Sequence, residues 1–142
     1  MNSKEKLVNM IFKKIKGFTL IELLIVIVIL GLLMSLVAPK MFSKVGSSKQ
    51  KTASAQMQML QTSLDTYRLD LGDFPSTLNL LRASEQNNWD GPYLPKNVPN
   101  DPWGNPYFYQ SPGANGEAYI LMSYGKDGEP GGTDESEDLV HQ

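Results

Sequence analysis

One stretch decides the architecture of this chain of 142 residues: Phe18-Thr-Leu-Ile-Glu-Leu-Leu-Ile-Val-Ile-Val-Ile-Leu-Gly-Leu-Leu-Met-Ser-Leu-Val-Ala38. It contains 21 residues and a single charged side chain, Glu22. A helix of this length is ~30 Å long, which matches the thickness of the hydrocarbon core of a bilayer. We therefore predict that residues 18–38 form a membrane-spanning helix.

Five lysines precede the apolar stretch, against one acid, Glu5; they are Lys4, Lys6, Lys13, Lys14 and Lys16. Because flanking basic residues stay on the cytoplasmic side, we predict a cytoplasmic N-terminus and a chain that continues on the far side of the membrane. A secretory signal peptide is a weaker interpretation, since its apolar core is only ~7–15 residues long. A buried core helix is also weaker, because a helix that is apolar on every side is rare in so small a domain.

Glu22 is the feature that a plain membrane anchor does not explain. A carboxylate inside a spanning helix costs ~2.5–3.5 kcal/mol on insertion scales, so such a residue is a candidate functional site. We expect Glu22 to meet a positively charged partner when the chain packs among other chains.

The composition removes several classes of function. The chain has 13 Lys and Arg residues against 15 Asp and Glu residues, and no basic cluster, so no nucleic-acid binding is expected. It has no Cys, which excludes disulfides, Cys-ligated zinc, iron–sulfur clusters and thiol catalysis. His141 is the only histidine, which argues against a Ser-His-Asp triad or a multi-His metal site. We predict that the chain is not an enzyme.

The segment Lys16-Gly-Phe-Thr-Leu-Ile-Glu-Leu-Leu24 resembles the leader and processing site of the type IV prepilin superfamily. The resemblance implies that a prepilin peptidase removes residues 1–17, cutting between Gly17 and Phe18, and methylates the new N-terminus at Phe18. It also implies that Glu22, the fifth residue of the mature chain, meets the N-terminal amine of a neighbouring subunit during fibre assembly. An amine is a partner that can neutralise a carboxylate in lipid.

The helix is predicted to continue beyond the membrane segment, through residues 39–71. Pro39 predicts a kink, because proline removes a helical hydrogen bond. Gly46-Ser47-Ser48 is a candidate bend or cap. The family resemblance further implies that Gly31–Pro39 loosens in an assembled fibre.

The second part of this helix is amphipathic, since apolar residues recur every three or four positions; they are Ala53, Met57, Leu60, Leu64, Tyr67 and Leu71. We expect this stripe to pack on a sheet of the same domain. A coiled-coil seam is the alternative, but the pattern lasts for less than three heptads. Gly72 and Pro75 are expected to end the helix.

Residues 72–142 predict a small globular head. Tyr107–Gln110 and Ala118–Tyr124 are typical of strands, and the turn signal Asn115-Gly116 in 111–117 predicts an antiparallel hairpin. The predicted fold class is therefore α+β, with a long N-terminal helical stem and a small head in which the helix packs on an antiparallel sheet.

The rest of the head is predicted to contain short or irregular segments. Leu78–Arg82 indicates a short helix that begins at Ser76 or Thr77. The prolines of Asn87–Trp103 argue against a regular element. We expect the aromatic side chains of this segment to cover the small core rather than to bind a ligand.

The segment 125–138 is strongly acidic, with six carboxylates and one lysine. Oxygen ligands in a flexible loop suit Ca²⁺, which takes ~6–8 oxygen ligands. An EF-hand alignment that starts at Asp127 fails, because Gly131 and Asp138 occupy ligand positions that need other residues and Pro130 lies inside. A solvated, disordered acidic tail is the alternative interpretation.

Two further motifs, Asp101-Pro-Trp-Gly-Asn-Pro-Tyr107 and Ser123-Tyr-Gly-Lys-Asp-Gly128, resemble the major pseudopilins of type II secretion. Tyr124 and Lys126 depart from the family pattern, which has Leu and Ala at these positions. With the processing motif, the resemblance covers nearly the whole mature chain. Many type IV pilins close the C-terminal region with a disulfide, which this chain cannot form.

The pseudopilin resemblance implies that the acidic loop 125–138 binds one Ca²⁺. The ligands implied are the carboxylates of Asp127 and Asp138, the backbone carbonyls near Tyr124 and Glu129, and a further carboxylate from Glu137 or Asp134. The chain ends Leu139-Val-His-Gln142, without the tryptophan that the family often has there, so the closing ligands stay open.

The combined resemblance implies a structural subunit that polymerises into a periplasmic pseudopilus and drives the export of folded proteins across the outer membrane. The implied partners are other copies of the chain in a helical homopolymer, the prepilin peptidase, an ATP-driven inner-membrane assembly platform, minor pseudopilins, the outer-membrane secretin complex and, before assembly, membrane lipid. A type IV pilin of a surface fibre for adhesion, motility or DNA uptake is the main alternative. A minor pseudopilin and a membrane-anchored periplasmic enzyme are the others.

Overall fold

A computed structural model describes residues 3–4 and 16–141 and divides the chain into two compact units, Met1–Met41 and Phe42–Gln142. Most of the predicted leader, residues 1–17, lies outside the described residues. The described part contains one long helix, α1 (Leu20–Leu71), and one antiparallel sheet of three strands. The α+β prediction, with a long N-terminal helix and a small sheet, is confirmed.

In the first unit, α1 carries a continuous apolar surface that stays exposed among the described residues. The large apolar side chains from Leu20 to Val37 are all exposed to solvent, by 45% or more. Within the described residues, α1 is the one helix that is long and apolar enough to cross a membrane. The alternative of a buried core helix is therefore wrong for this segment, because none of its large apolar side chains is buried among the described residues.

The helix continues through the residues that were candidates for a break. Pro39 lies inside α1, and so do Gly46, Ser47 and Ser48. The interpretation of Gly46-Ser47-Ser48 as a helix cap is wrong, because all three residues lie in the interior of α1. Gly46 is instead buried under the side chain of Glu135. A Cβ atom at Gly46 would lie 2.7 Å from Glu135 Cγ, so glycine here gives room for a tertiary contact.

In the second unit, α1 buries the predicted stripe from Ala53 to Tyr67, and Leu71 at its end is half-buried. Ala53, Leu60 and Leu64 have no exposed surface, and Met57 and Tyr67 expose only 2% each. The helix ends where the sequence predicts. Gly72 has a φ of 92°, a left-handed conformation that glycine adopts without steric cost, and its N–H donates to the carbonyl of Arg68 at 2.8 Å.

The sheet consists of β1 (Phe108–Gln110), β2 (Ile120–Ser123) and β3 (Leu139–Val140). The predicted hairpin is confirmed, with Tyr109 opposite Leu121. Strand β3 was not predicted, because two residues are too short for a strand pattern. It pairs antiparallel with β2, with Leu139 opposite Ser123. This pairing brings the C-terminal end of the acidic loop back beside its beginning.

The core of the second unit lies between the stripe of α1 and the sheet. Its buried members are Met57, Leu60, Leu64, Tyr67, Leu78, Leu81, Leu94, Tyr107 and Leu121. Leu78–Leu81 forms a 3-10 helix rather than an α-helix, and its preceding residue, Thr77, makes no side-chain capping bond.

The irregular segment before the sheet covers this core, as predicted. Trp89 and Tyr93 pack edge to face at 5.7 Å between ring centroids, and Tyr93 packs on Tyr67 at 5.6 Å. The Trp89 ring N–H donates to the carbonyl of Leu80 at 2.9 Å. Buried indole and phenol groups that find such partners contribute both apolar contact and fixed orientation.

Candidate processing site and acidic loop

The predicted processing site is an accessible, non-helical segment. Residues 16–19 precede α1 without regular structure, and the Phe18 side chain is 84% exposed. Apart from its two chain neighbours, no described residue has an atom within 4 Å of the place where a Cβ of Gly17 would be. An exposed peptide bond outside regular structure, as between Gly17 and Phe18, is the form in which a peptidase can bind its substrate.

Glu22 lies in the first turn of α1 and closes a reciprocal capping box with Thr19. The Glu22 N–H donates to Thr19 Oγ1 at 3.2 Å, and the Thr19 N–H donates to Glu22 Oε2 at 3.4 Å. Both bonds satisfy amide groups that the start of a helix leaves without partners. The sequence pattern Thr-x-x-Glu could have predicted this cap. A carboxylate can accept about four hydrogen bonds, so this one retains capacity for a further donor.

The Asp101-Pro-Trp-Gly-Asn-Pro-Tyr107 segment forms a tight turn around a buried carboxylate. Asp101 exposes only 4% of its surface. Its Oδ1 accepts hydrogen bonds from the backbone N–H groups of Trp103 at 3.1 Å and Asn105 at 2.8 Å. The Asp101 N–H in turn donates to the Asn105 carbonyl at 2.8 Å. Aspartate suits this position because its short side chain reaches its own backbone two residues on.

The same carboxylate joins this turn to the second pseudopilin-like motif. The hydroxyl of Ser123, which is fully buried, donates to Asp101 Oδ2 at 2.6 Å and accepts from the Gly125 N–H at 3.1 Å. The side-chain amide of Asn105 donates to the Gly125 carbonyl at 2.8 Å. Two motifs that lie about twenty residues apart thus form one polar network. The sequence contains both motifs, but no local pattern in it indicates that they pair.

The acidic loop leaves β2 at Gly125 and folds back on itself. The Lys126 N–H donates to the Glu135 carbonyl at 2.8 Å, and the Lys126 ammonium lies 3.0 Å from a Glu135 carboxylate oxygen. Gly125 and Gly132 have φ of 68° and 94°. At both positions a Cβ would come within 2.7 Å of a backbone oxygen of the loop, so only glycine allows the two sides to approach.

The loop also contacts α1. Gln50 Nε2 donates to the Asp134 carbonyl at 2.8 Å, and the Glu135 side chain covers Gly46. The hydrogen bond from Lys126 is the main reason that the pKa of Glu135 lies below its usual value. These contacts describe a folded loop rather than the solvated tail of the alternative interpretation.

The predicted calcium ligands occupy different environments. Asp138 Oδ2 accepts from the Gly131 N–H at 2.8 Å, while Asp138 Oδ1 is buried and has no hydrogen-bond partner among the described residues. Asp127 is exposed, and its Oδ1 accepts from the Glu129 N–H at 3.2 Å. Glu137 and Asp134 are exposed.

The described residues contain no group of three or more His, Cys, Asp or Glu side chains that could hold a metal ion. A cation in this loop would therefore depend on backbone carbonyls for much of its coordination. Ca²⁺ accepts such mixed oxygen ligands. The calcium site stays a prediction.

The processing segment was compared with known protein families. Residues 12–38 match the family described as "Prokaryotic N-terminal methylation motif". This match includes Gly17, Phe18 and Glu22, so the chain is of the class that carries this N-terminal motif.

Residues 40–142 match the family described as "Type II secretion system (T2SS), protein G", and the chain belongs to this family. A relative from Pseudomonas aeruginosa named type II secretion system core protein G is 40% identical, over 87% of this chain and 92% of the relative. One of the same name from Aeromonas hydrophila is 42% identical, over 84% and 88% of the two chains. The crystal structure of the major pseudopilin from the type 2 secretion system of enterohaemorrhagic Escherichia coli is similar, with a TM-score of 0.55 and 27% identity, over 70% of this chain and 90% of that one.

Proposed function

We propose that this chain is the major structural subunit of a type II secretion pseudopilus, which polymerises in the periplasm and drives the export of folded proteins across the outer membrane. The observation that carries the proposal is the family match over residues 40–142, joined to an apolar helix that is exposed within the described part of the chain. The subunit has a structural role, and the chain is a substrate of the processing enzyme rather than an enzyme.

The N-terminal segment determines how the chain is processed and inserted into the membrane before assembly. The prepilin peptidase cuts between Gly17 and Phe18 on the cytoplasmic side and methylates Phe18. The lysines before the cut keep the N-terminus in the cytoplasm, so residues 18–38 span the inner membrane and the head lies in the periplasm. Lipid covers the apolar helix until an inner-membrane assembly platform extracts the subunit.

In the fibre, the apolar helices of neighbouring copies replace lipid as the surroundings of residues 18–38. Glu22 accepts a hydrogen bond from the N-terminal amine of the next copy, while its capping bond with Thr19 holds the carboxylate in place. Pairing a buried carboxylate with an amine removes the cost of an isolated charge and so favours one register. Minor pseudopilins and the outer-membrane secretin complex are the further partners.

The acidic loop is proposed to bind one Ca²⁺. Asp138 Oδ1, which is buried and has no hydrogen-bond partner within the described residues, supports this proposal, because a buried carboxylate oxygen without a donor is costly unless a cation or proton meets it. Asp127, Asp138 and Glu137 would supply carboxylates, and Tyr124 and Glu129 would supply backbone carbonyls. The ion would link the two ends of the loop and stabilise it against the head.

Thermal unfolding of the full mature chain in detergent tests the calcium proposal, with Trp89 and Trp103 as fluorescent reporters. At a calcium concentration 100 times the dissociation constant, binding would add ~2.7 kcal/mol to the free energy of unfolding. Asp127→Asn should abolish this gain. Glu129→Gln is the matched control, because only its carbonyl is a proposed ligand. Equal melting temperatures of the wild type in calcium and in EGTA would contradict the proposal.

Deletion of the gene in the native host, with complementation, tests the function. We expect secreted proteins to accumulate in the periplasm while surface pili remain. Complementation by wild type should restore secretion, whereas a Glu22→Ala chain should enter the membrane and fail to assemble. Intact secretion together with a loss of pili, twitching or transformation would instead identify a type IV pilin.

A further inference from the structure

One side chain, Asn105, touches both the turn at Asp101 and the beginning of the acidic loop. Its Nδ2 donates to the Gly125 carbonyl at 2.8 Å. Its amide group also lies against Gly128, where an added Cβ would be 3.1 Å from Asn105 Nδ2 and Cγ. Gly125 and Gly128 have φ of 68° and 70°, and Asp127 lies between them in the chain. Asn105 therefore contacts the loop on both sides of a proposed ligand.

Asn105 is itself held by the buried network. Its N–H donates to Asp101 Oδ1 and its carbonyl accepts from the Asp101 N–H, both at 2.8 Å. The other Asp101 oxygen accepts from Ser123, at the end of β2. Because both backbone polar groups of Asn105 are already bonded, its backbone loses little further freedom when its side chain holds the loop.

Asn100 lies in the same turn as Asn105 and serves as a comparison. Its Nδ2 donates to the Gly104 carbonyl at 3.1 Å, a bond that stays inside the turn. Asn100 is exposed. The two asparagines thus provide a matched pair, of which one reaches the loop.

We propose that Asn105 is the positioning residue of the acidic loop. It fixes the Gly125 carbonyl and the Gly128 backbone, and through them the Tyr124 carbonyl and the Asp127 carboxylate. The part of the proposal that concerns metal affinity rests on the proposed calcium function, whereas the ordering of the loop does not. Groups that orient the ligands of a metal commonly change its affinity by ~10–100-fold when they are removed.

The test compares the wild type, Asn105→Ala and Asn100→Ala as full mature chains in detergent. Hydrogen exchange in EGTA is followed on peptides from the loop, 124–138, and from the hairpin, 108–123. We expect Asn105→Ala to speed exchange in the loop by about tenfold and to leave the hairpin within about twofold. The calcium dissociation constant, measured by calorimetry with Ca²⁺ alone, should rise by ~10–100-fold. Asn100→Ala should match the wild type in both measurements.

Two results would overturn the positioning role: unchanged loop exchange, or faster exchange by the same factor in loop and hairpin. The second would mean that Asn105 supports only the stability of the head. If the wild type binds no calcium but the loop of Asn105→Ala exchanges faster, the calcium proposal fails and the positioning role stands. If the variant binds calcium as tightly as the wild type and its loop exchange is unchanged, the positioning role fails and the calcium proposal stands.

Discussion

The two parts of α1 belong to one continuous helix but have different surroundings. In the first unit the large apolar side chains from Leu20 to Val37 cover every face and all are exposed. In the second unit one stripe of apolar side chains packs on the head, and its members Leu60 and Leu64 are fully buried. Polar residues such as Gln58, Asp65 and Arg68 face solvent on the remaining sides, whereas Ser63 is buried.

This difference in surroundings indicates what stabilises each part of α1. A single apolar stripe is satisfied by one packed surface, which the sheet and loops of the same chain provide. A helix that is apolar on all sides needs lipid or several neighbouring helices, which only a membrane or other copies of the chain can provide. The head should therefore be sensitive to core substitutions in the second part and indifferent to the same substitutions in the first.

The largest effect on folding is expected from Leu60→Ala, compared with Leu24→Ala. Leu60 has no exposed surface, whereas Leu24 is 52% exposed. Truncation of a buried leucine costs ~2–5 kcal/mol through lost burial and a residual cavity. Leu24→Ala should change the unfolding free energy of the head by less than ~0.5 kcal/mol. Urea unfolding followed by tryptophan fluorescence measures both, and equal losses would remove the distinction between the two parts.

The second-largest effect is expected on the insertion of residues 18–38 into the membrane rather than on the folding of the head. Ile27 lies near the centre of residues 18–38, where a lysine costs ~2.5–3.5 kcal/mol on insertion scales. We expect Ile27→Lys to reduce the carbonate-resistant membrane fraction. Leu69→Lys is the control, since Leu69 is a leucine of the second part that is 84% exposed. Normal membrane integration of Ile27→Lys would contradict the assignment of this segment as the anchor.

The sequence predicted the helix well because a regular period over many residues carries a strong signal. The members of the stripe from Ala53 to Tyr67 are all buried, and Gly72 ends the helix as expected. The hairpin was also predictable, from two apolar segments with Asn115-Gly116 between them.

The links between distant segments could not be predicted in the same way. The hydrogen bond from Ser123 to Asp101, the pairing of β3 with β2, and the contact of Glu135 with Gly46 all join residues far apart in the chain. Such contacts follow from the folded backbone and leave no local pattern. For the same reason the orphaned Asp138 Oδ1, on which the calcium proposal depends, was not predictable.

A third, smaller effect comes from the two glycines of α1. Alanine normally stabilises a helix by ~0.5–1 kcal/mol relative to glycine. Gly31 has open space around its Cα, but a Cβ at Gly46 would collide with Glu135. We expect Gly46→Ala alone not to raise the unfolding free energy of the head. In a Glu135→Ala background, where the collision is removed, Gly46→Ala should raise it by ~0.5–1 kcal/mol. A gain already present in the wild-type background would show that the Glu135 side chain is not held over Gly46. Gly31→Ala, measured by helical ellipticity at 222 nm on heating, should stabilise its own segment.

The smallest effect is the pH dependence of the pair Lys126–Glu135. Because this pair lowers the pKa of Glu135 in the folded state, its contribution is present above the pKa of the unfolded carboxyl and is lost as pH falls through the folded value. The pair is exposed to solvent, so the contribution is small. Melting temperatures of wild type and Lys126→Met should differ slightly at neutral pH and converge in acid. A difference that persists or grows in acid would assign the effect of Lys126 to something other than this pair.

The most direct test of the account is the structure of the assembled fibre, determined by electron cryo-microscopy on fibres from the complemented host. In the fibre, residues 18–38 should be buried between copies, and the amine of Phe18 should lie within hydrogen-bonding distance of Glu22 in a neighbouring copy. The heads should keep the fold described here. A fibre held together by its heads, with residues 18–38 still in lipid or exposed, would contradict the account.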